Sequence, residues 1–484
     1  MMPNGARRAL SRRHFLGHSF NGLGMIALAD MLADDLKASE TSGIMAPRPH
    51  QLPRKAKHCI FMFMQGGVSQ IDTFDYKPQL EKYVGRQLPV LPGVSGEIAA
   101  FLKNHHAVFP TLWPFRKAGQ SGRPISSLFP RISACADDLA FIFGIKVDDN
   151  NHGPATFHIN TGDVFPGAAS VGSWITYGLG SPNQDLPGYV VIQDPKGAPN
   201  GGPDSWSSGY LPAAYQGTPI RATGTPILYM DPPAGVDRQI MRTEFDLLKW
   251  LNQQHKSQRI DIASELDARI SAYELAFRMQ TKAPEVVDLS TESAATRELY
   301  GLDGQSTATF GRQCLLARRL VERGVRFTML THGGPGTGSW DDHGDTRARM
   351  PRHAAEVDQP VAALLQDLKQ RGLLGETLVV WASEMGRTPF LSGGGEYEKL
   401  GRDHNQYGLV MWMAGGDVKG GSSVGETDEF GIAALDRTIH ARDVHATILN
   451  LMGLDSERLT YVQSDVSRRL TTETGADVLT EIIA

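Results

Sequence analysis

Short, continuous apolar runs recur along this chain, and each is stopped by glycine or a polar turn. The run Cys59-Ile60-Phe61-Met62-Phe63-Met64 ends at Gly66-Gly67. Similar runs occur at Phe141-Ile142-Phe143, Tyr189 to Ile192, Val325 to Leu330, Leu378 to Trp381 and Leu409 to Met413. Runs of this length, without polar alternation, predict buried parallel strands. Helical periodicity fills the intervals. Phe245 to Met279 is long and amphipathic, carrying Leu247, Leu248, Leu251, Leu266, Ile270 and Leu275. Phe310 to Arg323 and Val357 to Arg371 each lead directly into a strand. Helices alternating with apolar strands predict an α/β fold: a central, mostly parallel sheet covered by helices on both faces. Residues 194–235 are rich in Gly, Pro and Ser and read as a long irregular insertion, which either lines a site or is a surface excursion without a role.

Composition narrows the class. Of 484 residues, 41% are hydrophobic and 21% charged, which fits a globular protein with a sizeable core. Large α/β folds of this length often form one unit. The net charge of −5 gives no basic surplus for nucleic acid. No repeat period suggests a solenoid. The three cysteines, Cys59, Cys135 and Cys314, are far apart and make neither a disulfide framework nor a CxxC zinc site. Cys59 and Cys314 sit in apolar surroundings and read as core thiols.

The first residues carry basic groups, Arg7-Arg8 and then Ser11-Arg12-Arg13-His14-Phe15-Leu16, before a mildly apolar stretch from Gly17 to about Leu32. That order is the form of a secretory signal. The Ser-Arg-Arg-x-Phe-Leu string resembles the twin-arginine motif, a receptor-read address. Asn21 and Asp30 interrupt the apolar stretch, which is too short and polar for a stable transmembrane helix, and no other segment approaches a spanning length. Ala27-Leu28-Ala29 is a candidate cleavage site, and an uncleaved leader would remain a membrane tether. The expected organisation is a twin-arginine signal at 1–32, a linker at 33–55, one domain at 56–470 containing the insertion, and a tail at 471–484. The expected location is the periplasm or beyond.

Ligands of open α/β sheets bind outside the carboxyl ends of the strands. Asp72 and Asp75 follow the first strand; Asp341, Asp342 and His343 follow the strand at 325–330; Glu384 and Arg387 follow the strand at 378–381; and Arg402-Asp403-His404 precedes the last strand. Asp in any one loop ordinarily serves a turn or a helix cap. Several loops offering carboxylates and imidazoles at one sheet edge point instead to a metal, and that donor mixture suits zinc, manganese or iron better than calcium or magnesium.

The late segment from Asp358 through Leu364-Leu365, Arg371-Gly372 and Thr377-Leu378-Val379-Val380 to Ser383-Glu384-Met385-Gly386 resembles the helix–strand unit of the alkaline phosphatase–sulfatase superfamily. Phe129-Pro130-Arg131-Ile132, Thr161-Gly162-Asp163-Val164-Phe165-Pro166 and Arg442 to Gly453 resemble other segments of that superfamily. Within it, the chain is similar to exported, sulfatase-like bacterial proteins of undefined function. That likeness is carried by Gly66-Gly67-Val68-Ser69-Gln70-Ile71-Asp72, Gly172-Ser173-Trp174, Trp340-Asp341-Asp342-His343, Ser383 to Pro389 and Gly401-Arg402-Asp403-His404.

The resemblance implies an alkaline phosphatase-like fold with a small C-terminal subdomain, and one or two divalent ions. Asp341, His343 and His404 would surround one ion, and Asp72 with Glu384 a second. Paired ions clamp the attacking and leaving oxygens of a phosphoryl or sulfuryl transfer. Arg387 or Arg402 would bind an ester oxygen through its planar fork. The pattern also departs from the superfamily. Gln65 stands where an Asp directly follows the first strand, and Asp341-x-His343 replaces Asp-x-x-x-His. At the nucleophile position, nine residues before Thr161, stands His152 rather than Cys, Ser or Thr, and no cysteine lies in the string that formylglycine formation needs.

Three readings follow. His152 is a metal ligand and activated water attacks; Thr156 or Ser170 attacks; or the site binds without turnover. His158 reads as an ordinary helix residue, and His445 as either a structural or a site-facing group. The expected activity is hydrolysis of a small anionic ester or of a sulfated or phosphorylated polysaccharide. The alternative is a non-catalytic protein binding a polysaccharide or a partner protein.

Overall fold

The computed structural model describes residues 43–86, 88, 98, 107–223, 238–258, 263–335, 338–392, 400–471 and 475–484. The twin-arginine string and its apolar stretch lie outside the described residues. In chain order the first half comprises β1 (His58–Met64), α1 (Gln70–Thr73), β2 (Phe115–Ala118), β3 (Arg123–Ser126), α2 (Pro130–Ser133), β4 (Leu139–Lys146), α3 (His152–Thr161), α4 (Val171–Leu179), β5 (Tyr189–Gln193), β6 (Thr218–Arg221), α5 (Arg238–Gln258) and α6 (Ala263–Val287). There follow α7 (Ala294–Leu299), α8 (Ala308–Glu322), β7 (Phe327–His332), α9 (Thr346–Gln370), β8 (Thr377–Ala382), β9 (Gly386–Ser392), β10 (Gly401–Asn405), β11 (Leu409–Ala414), β12 (Ser423–Val424), β13 (Ile439–His440), α10 (Ala441–Leu451), β14 (Tyr461–Gln463) and β15 (Val466–Arg468).

The main sheet runs β12-β4-β11-β8-β1-β7-β5-β6, with β13 also paired to β4. β1 lies between β7 and β8, parallel to both, and all seven of its residues are buried. Only β11 runs against its neighbours, β4 and β8. The sheet is therefore mixed and mostly parallel, as the unbroken apolar runs predict.

Alternation along β1 divides the interior into two layers. Met62 and Met64 face one, with Leu330 and Trp381, against Leu315 of α8 and Leu364 of α9. Phe61 and Phe63 face the other, with Val380 and Met411, against Ile159 of α3, Trp174 of α4 and Ile448 of α10. Leu470, Leu479 and Ile482 join this second layer, so the C-terminal stretch packs onto the body of the sheet. All three cysteines are buried thiols.

The described part of the expected insertion, residues 194–223, is less irregular than its composition suggests. It holds two 3-10 turns, Gly202–Trp206 and Ala213–Tyr215, and the edge strand β6, parallel to β5. Pro219 is tolerated there because an edge strand leaves one side without ladder bonds. The single amphipathic stretch expected over Phe245 to Met279 falls on two helices, α5 and α6. Among the described residues no helix is long and apolar enough to cross a membrane.

Candidate metal centre

At the carboxyl ends of β1, β7 and β8 the chain turns sharply. Gly66 adopts φ +112°, and a Cβ there would lie 2.4 Å from the backbone nitrogen of Asp341. Only glycine lets the loop after β7 press onto the end of β1. Trp340 N donates to Gln65 O at 2.8 Å, which fixes that approach. The same end receives the first residue of α3, His152, and the β9–β10 hairpin, in which His404 lies opposite Arg387.

Four side chains meet here. One ligand atom from each of His152, Asp341, His343 and His404 lies within 4.8 Å of all the others, and together they form a possible metal site. The nitrogens His152 Nε2, His343 Nε2 and His404 Nε2 are 3.2, 3.1 and 3.5 Å from the same oxygen, Asp341 Oδ1. His343 Nε2 and His404 Nε2 are 2.8 Å apart.

The outer nitrogen of each ring is tethered. His152 Nδ1 is 2.8 Å from Glu384 Oε1, and a buried carboxylate that also accepts from Gly66 N at 2.7 Å requires Nδ1 to carry the proton. His404 Nδ1 is 2.7 Å from Asn150 O, a carbonyl that can only accept. His343 Nδ1 is 3.1 Å from Ser392 Oγ. Such outer partners fix tautomer and ring orientation at metal-bound histidines. They turn Nε2 of His152 and of His404 inward, toward Asp341 Oδ1. These inward nitrogens, His343 Nε2 and the Asp341 oxygen lie close enough together for one ion to touch all four side chains, and imidazoles mixed with a carboxylate fit a divalent ion.

The electrostatics agree. Burial disfavours the His152 imidazolium, but the carboxylates of Asp341 and Glu384 outweigh it and raise its pKa to about 9. Burial alone would raise Asp341, yet the three imidazoles and Arg387 hold its carboxyl far below the usual range. Glu384 is likewise lowered despite complete burial, chiefly by His152. Burial pushes His404 down, so it remains neutral.

Other expected site residues have different employment. Glu384 orients His152, whereas Asp72 pairs with Arg402. Both oxygens of Asp72 are taken by Arg402, with Nε to Oδ2 at 2.7 Å and Nη2 to Oδ1 at 3.1 Å, and Oδ2 also accepts from Ser69 Oγ at 2.6 Å. The expected Asp72–Glu384 pair around a second ion is thus replaced by a buried bidentate ion pair. Arg402 donates its remaining hydrogens to the carbonyls of Phe109, Pro110 and Thr388, so its fork has no donor left for an ester.

Arg387 is also largely committed to internal acceptors. It donates to Asp341 Oδ1 at 2.7 Å, to Gly67 O at 2.8 Å, to Arg402 O at 3.1 Å and to Gly66 O. It therefore holds the carboxylate on which the imidazoles converge. Neither candidate hydroxyl is exposed: Thr156 is fully buried within α3, and Ser170 is fully buried at the start of α4 with its Oγ 2.9 Å from Ser173 Oγ. His158 Nδ1 accepts from Asp148 N at 3.1 Å, and His445 Nε2 lies 2.7 Å from Ile159 O. Burial lowers His445 to about 4, which makes it a neutral structural group away from the cluster. The role of Asn150 had no signal in the sequence, because it acts through a backbone carbonyl.

A family model described as "Protein of unknown function (DUF1501)" matches residues 56–483. No curated protein matches the chain significantly. Among solved structures, the alkaline phosphatase from the Antarctic bacterium TAB5 aligns over 84% of this chain and 100% of its own, at 8% identity and a TM-score of 0.35. The PsFucS1 sulfatase from Pseudoalteromonas sp. aligns over 90% of this chain and 72% of its own, at 13% identity and a TM-score of 0.35. Ps i-CgsB, solved in complex with a neocarrahexaose, aligns over 84% of this chain and 73% of its own, at 12% identity and a TM-score of 0.35.

Proposed function

We propose that this chain, which belongs to the DUF1501 family of proteins of unknown function, is a metal-dependent hydrolase of phosphate or sulfate esters acting outside the cytoplasm. One divalent ion, zinc, manganese or iron, would be held by His152, Asp341, His343 and His404. The observation that carries this reading is the convergence of three imidazole nitrogens on one carboxylate oxygen, with every outer ring nitrogen tethered. When bound, such an ion polarises an ester oxygen and lowers the pKa of water.

The chain's own residues would do the rest. Glu384 holds the His152 ring and its tautomer, and Arg387 holds Asp341. His343 has the most exposed of the four side chains, at 39%, so substrate would approach past it. With Thr156, Ser170 and all three cysteines buried, water is the attacking group that best fits. Export by the expected leader would place the activity in the periplasm or outside the cell.

The test is elemental analysis of protein purified without chelator, joined to turnover of aryl phosphates and sulfates before and after metal removal. About one equivalent of metal and metal-restored turnover are expected. Folded protein without stoichiometric metal would refute the reading. A second reading is a non-catalytic protein that binds a polysaccharide or a partner protein. It is favoured by Arg402, whose fork is spent on internal acceptors, and by Arg387, most of whose donors are. Bound metal with no turnover of any ester would favour it.

The His152 proton gives a pH prediction. Its folded pKa, about 9, is raised above the ordinary 6.5, so the proton's contribution to the metal-free fold is complete below about 6.5. That contribution is lost as pH rises through 9. A metal must displace the same proton, so apparent affinity should fall about tenfold for each pH unit below 9, with about one proton released per ion at neutral pH. Calorimetry in buffers of different ionisation enthalpy measures the release.

A further inference from the structure

We propose that His332 is a positioning residue for the metal centre, acting on Asp341 through the indole of Trp340. The proposal rests on the metal reading of the four-residue cluster. His332 is the last residue of β7 and is almost completely buried. Its Nδ1 accepts from Trp340 Nε1 at 3.0 Å, so Nδ1 carries no proton. Its Nε2 lies 2.9 Å from Glu356 Oε2 and donates to it. Lys196 Nζ, from the insertion after β5, donates to the same oxygen at 2.9 Å. The ring is thereby locked in one tautomer with its acceptor side toward Trp340.

Trp340 immediately precedes Asp341, and both sides of that pair are tied down. Trp340 N donates to Gln65 O at 2.8 Å, and Asp342 N donates to Trp340 O at 2.9 Å. The indole is buried, 5.1 Å from the His353 ring and edge-on to Trp381 at 6.3 Å. The indole N–H donates to His332 Nδ1, and a buried N–H deprived of its acceptor carries its full desolvation penalty. Gly66 leaves no slack on the opposite side of the chain. A rotation of the indole would therefore be passed to the Asp341 carboxylate, on which three histidines converge.

Asparagine and glutamine separate the two halves of this role. The amide oxygen of Asn takes the place of Nδ1 and can accept from Trp340. The amide nitrogen of Gln takes the place of Nε2 and can donate to Glu356 but leaves the indole unpaired. The experiment titrates the full chain with Zn²⁺ alone, against a competing chelator, for wild type, His332→Asn, His332→Gln and Trp340→Phe. Thermal midpoints of each metal-free protein are recorded in parallel.

His332→Gln and Trp340→Phe are expected to weaken Zn²⁺ binding by about tenfold or more, the size typical of outer-shell changes. His332→Asn should stay within about twofold of wild type, and the His332→Gln/Trp340→Phe double variant should be no weaker than either single one. Zn²⁺ affinity that follows the thermal midpoints, or that is unchanged in His332→Gln and Trp340→Phe, would overturn the proposal while leaving the metal site intact. Wild type that takes up no Zn²⁺ would overturn the metal reading and this proposal with it. If His332→Gln does not fold, Trp340→Phe alone decides, since it keeps the ring in the core.

Discussion

Asp341→Ala should abolish stoichiometric metal and any ester turnover that depends on it. Asp341 Oδ1 is the atom that all three imidazole nitrogens approach, and it also neutralises the buried Arg387. Its removal deletes a ligand and leaves a guanidinium among three histidines, so like charge opposes the incoming cation. The expected loss of affinity exceeds the roughly 10–100-fold seen when only an outer partner is removed. His404→Ala should follow the same direction, whereas Glu384→Gln, which leaves all four ligands in place, should fall within that smaller range. Elemental analysis and turnover of the same preparations check all three. Full metal content in folded Asp341→Ala would place the ion elsewhere.

The second large effect concerns Asp72, and it lies in stability. Asp72 and Arg402 are both almost completely inaccessible to solvent and share two hydrogen bonds. Asp72→Ala leaves the Arg402 charge buried without its counter-charge, which costs about 3–5 kcal/mol. A urea midpoint shift measures this. Metal content per folded molecule should be unchanged, because Asp72 does not belong to the ligand cluster. Loss of metal at unaltered stability would restore Asp72 as a ligand.

The strands were legible because a buried parallel strand needs no polar alternation: Cys59 to Met64 are apolar on both faces since both faces are covered. The edge strand at Thr218–Arg221 was hidden because it is short and holds a proline, which composition reads as loop. The loops that carry Asp341, His343 and His404 were visible from their place after or before apolar runs. The different fates of Asp72 and Glu384 were not. A carboxylate at a strand end looks the same in sequence whether it faces a metal, an imidazole or a guanidinium, and its partner is fixed by distant packing. Arg402 lies 330 positions from Asp72. His152 stood out only as a misfit at a position where the resemblance implies a hydroxyl or thiol, and its geometry sets that misfit among the four side chains of the possible metal site.

The four proposed ligands come from three remote stretches of chain: the start of α3, the loop after β7 and the β9–β10 hairpin. Only Asp341 and His343 are near neighbours in sequence, so the unfolded polypeptide offers no local chelate. A cation held by them would therefore recognise the finished architecture and discriminate strongly against the denatured ensemble. At a free concentration a thousandfold above its dissociation constant it would stabilise the native state by about 4 kcal/mol. Loading would then follow closure of the sheet, and a bound metal would report that the β1–β7–β8 centre has already been assembled.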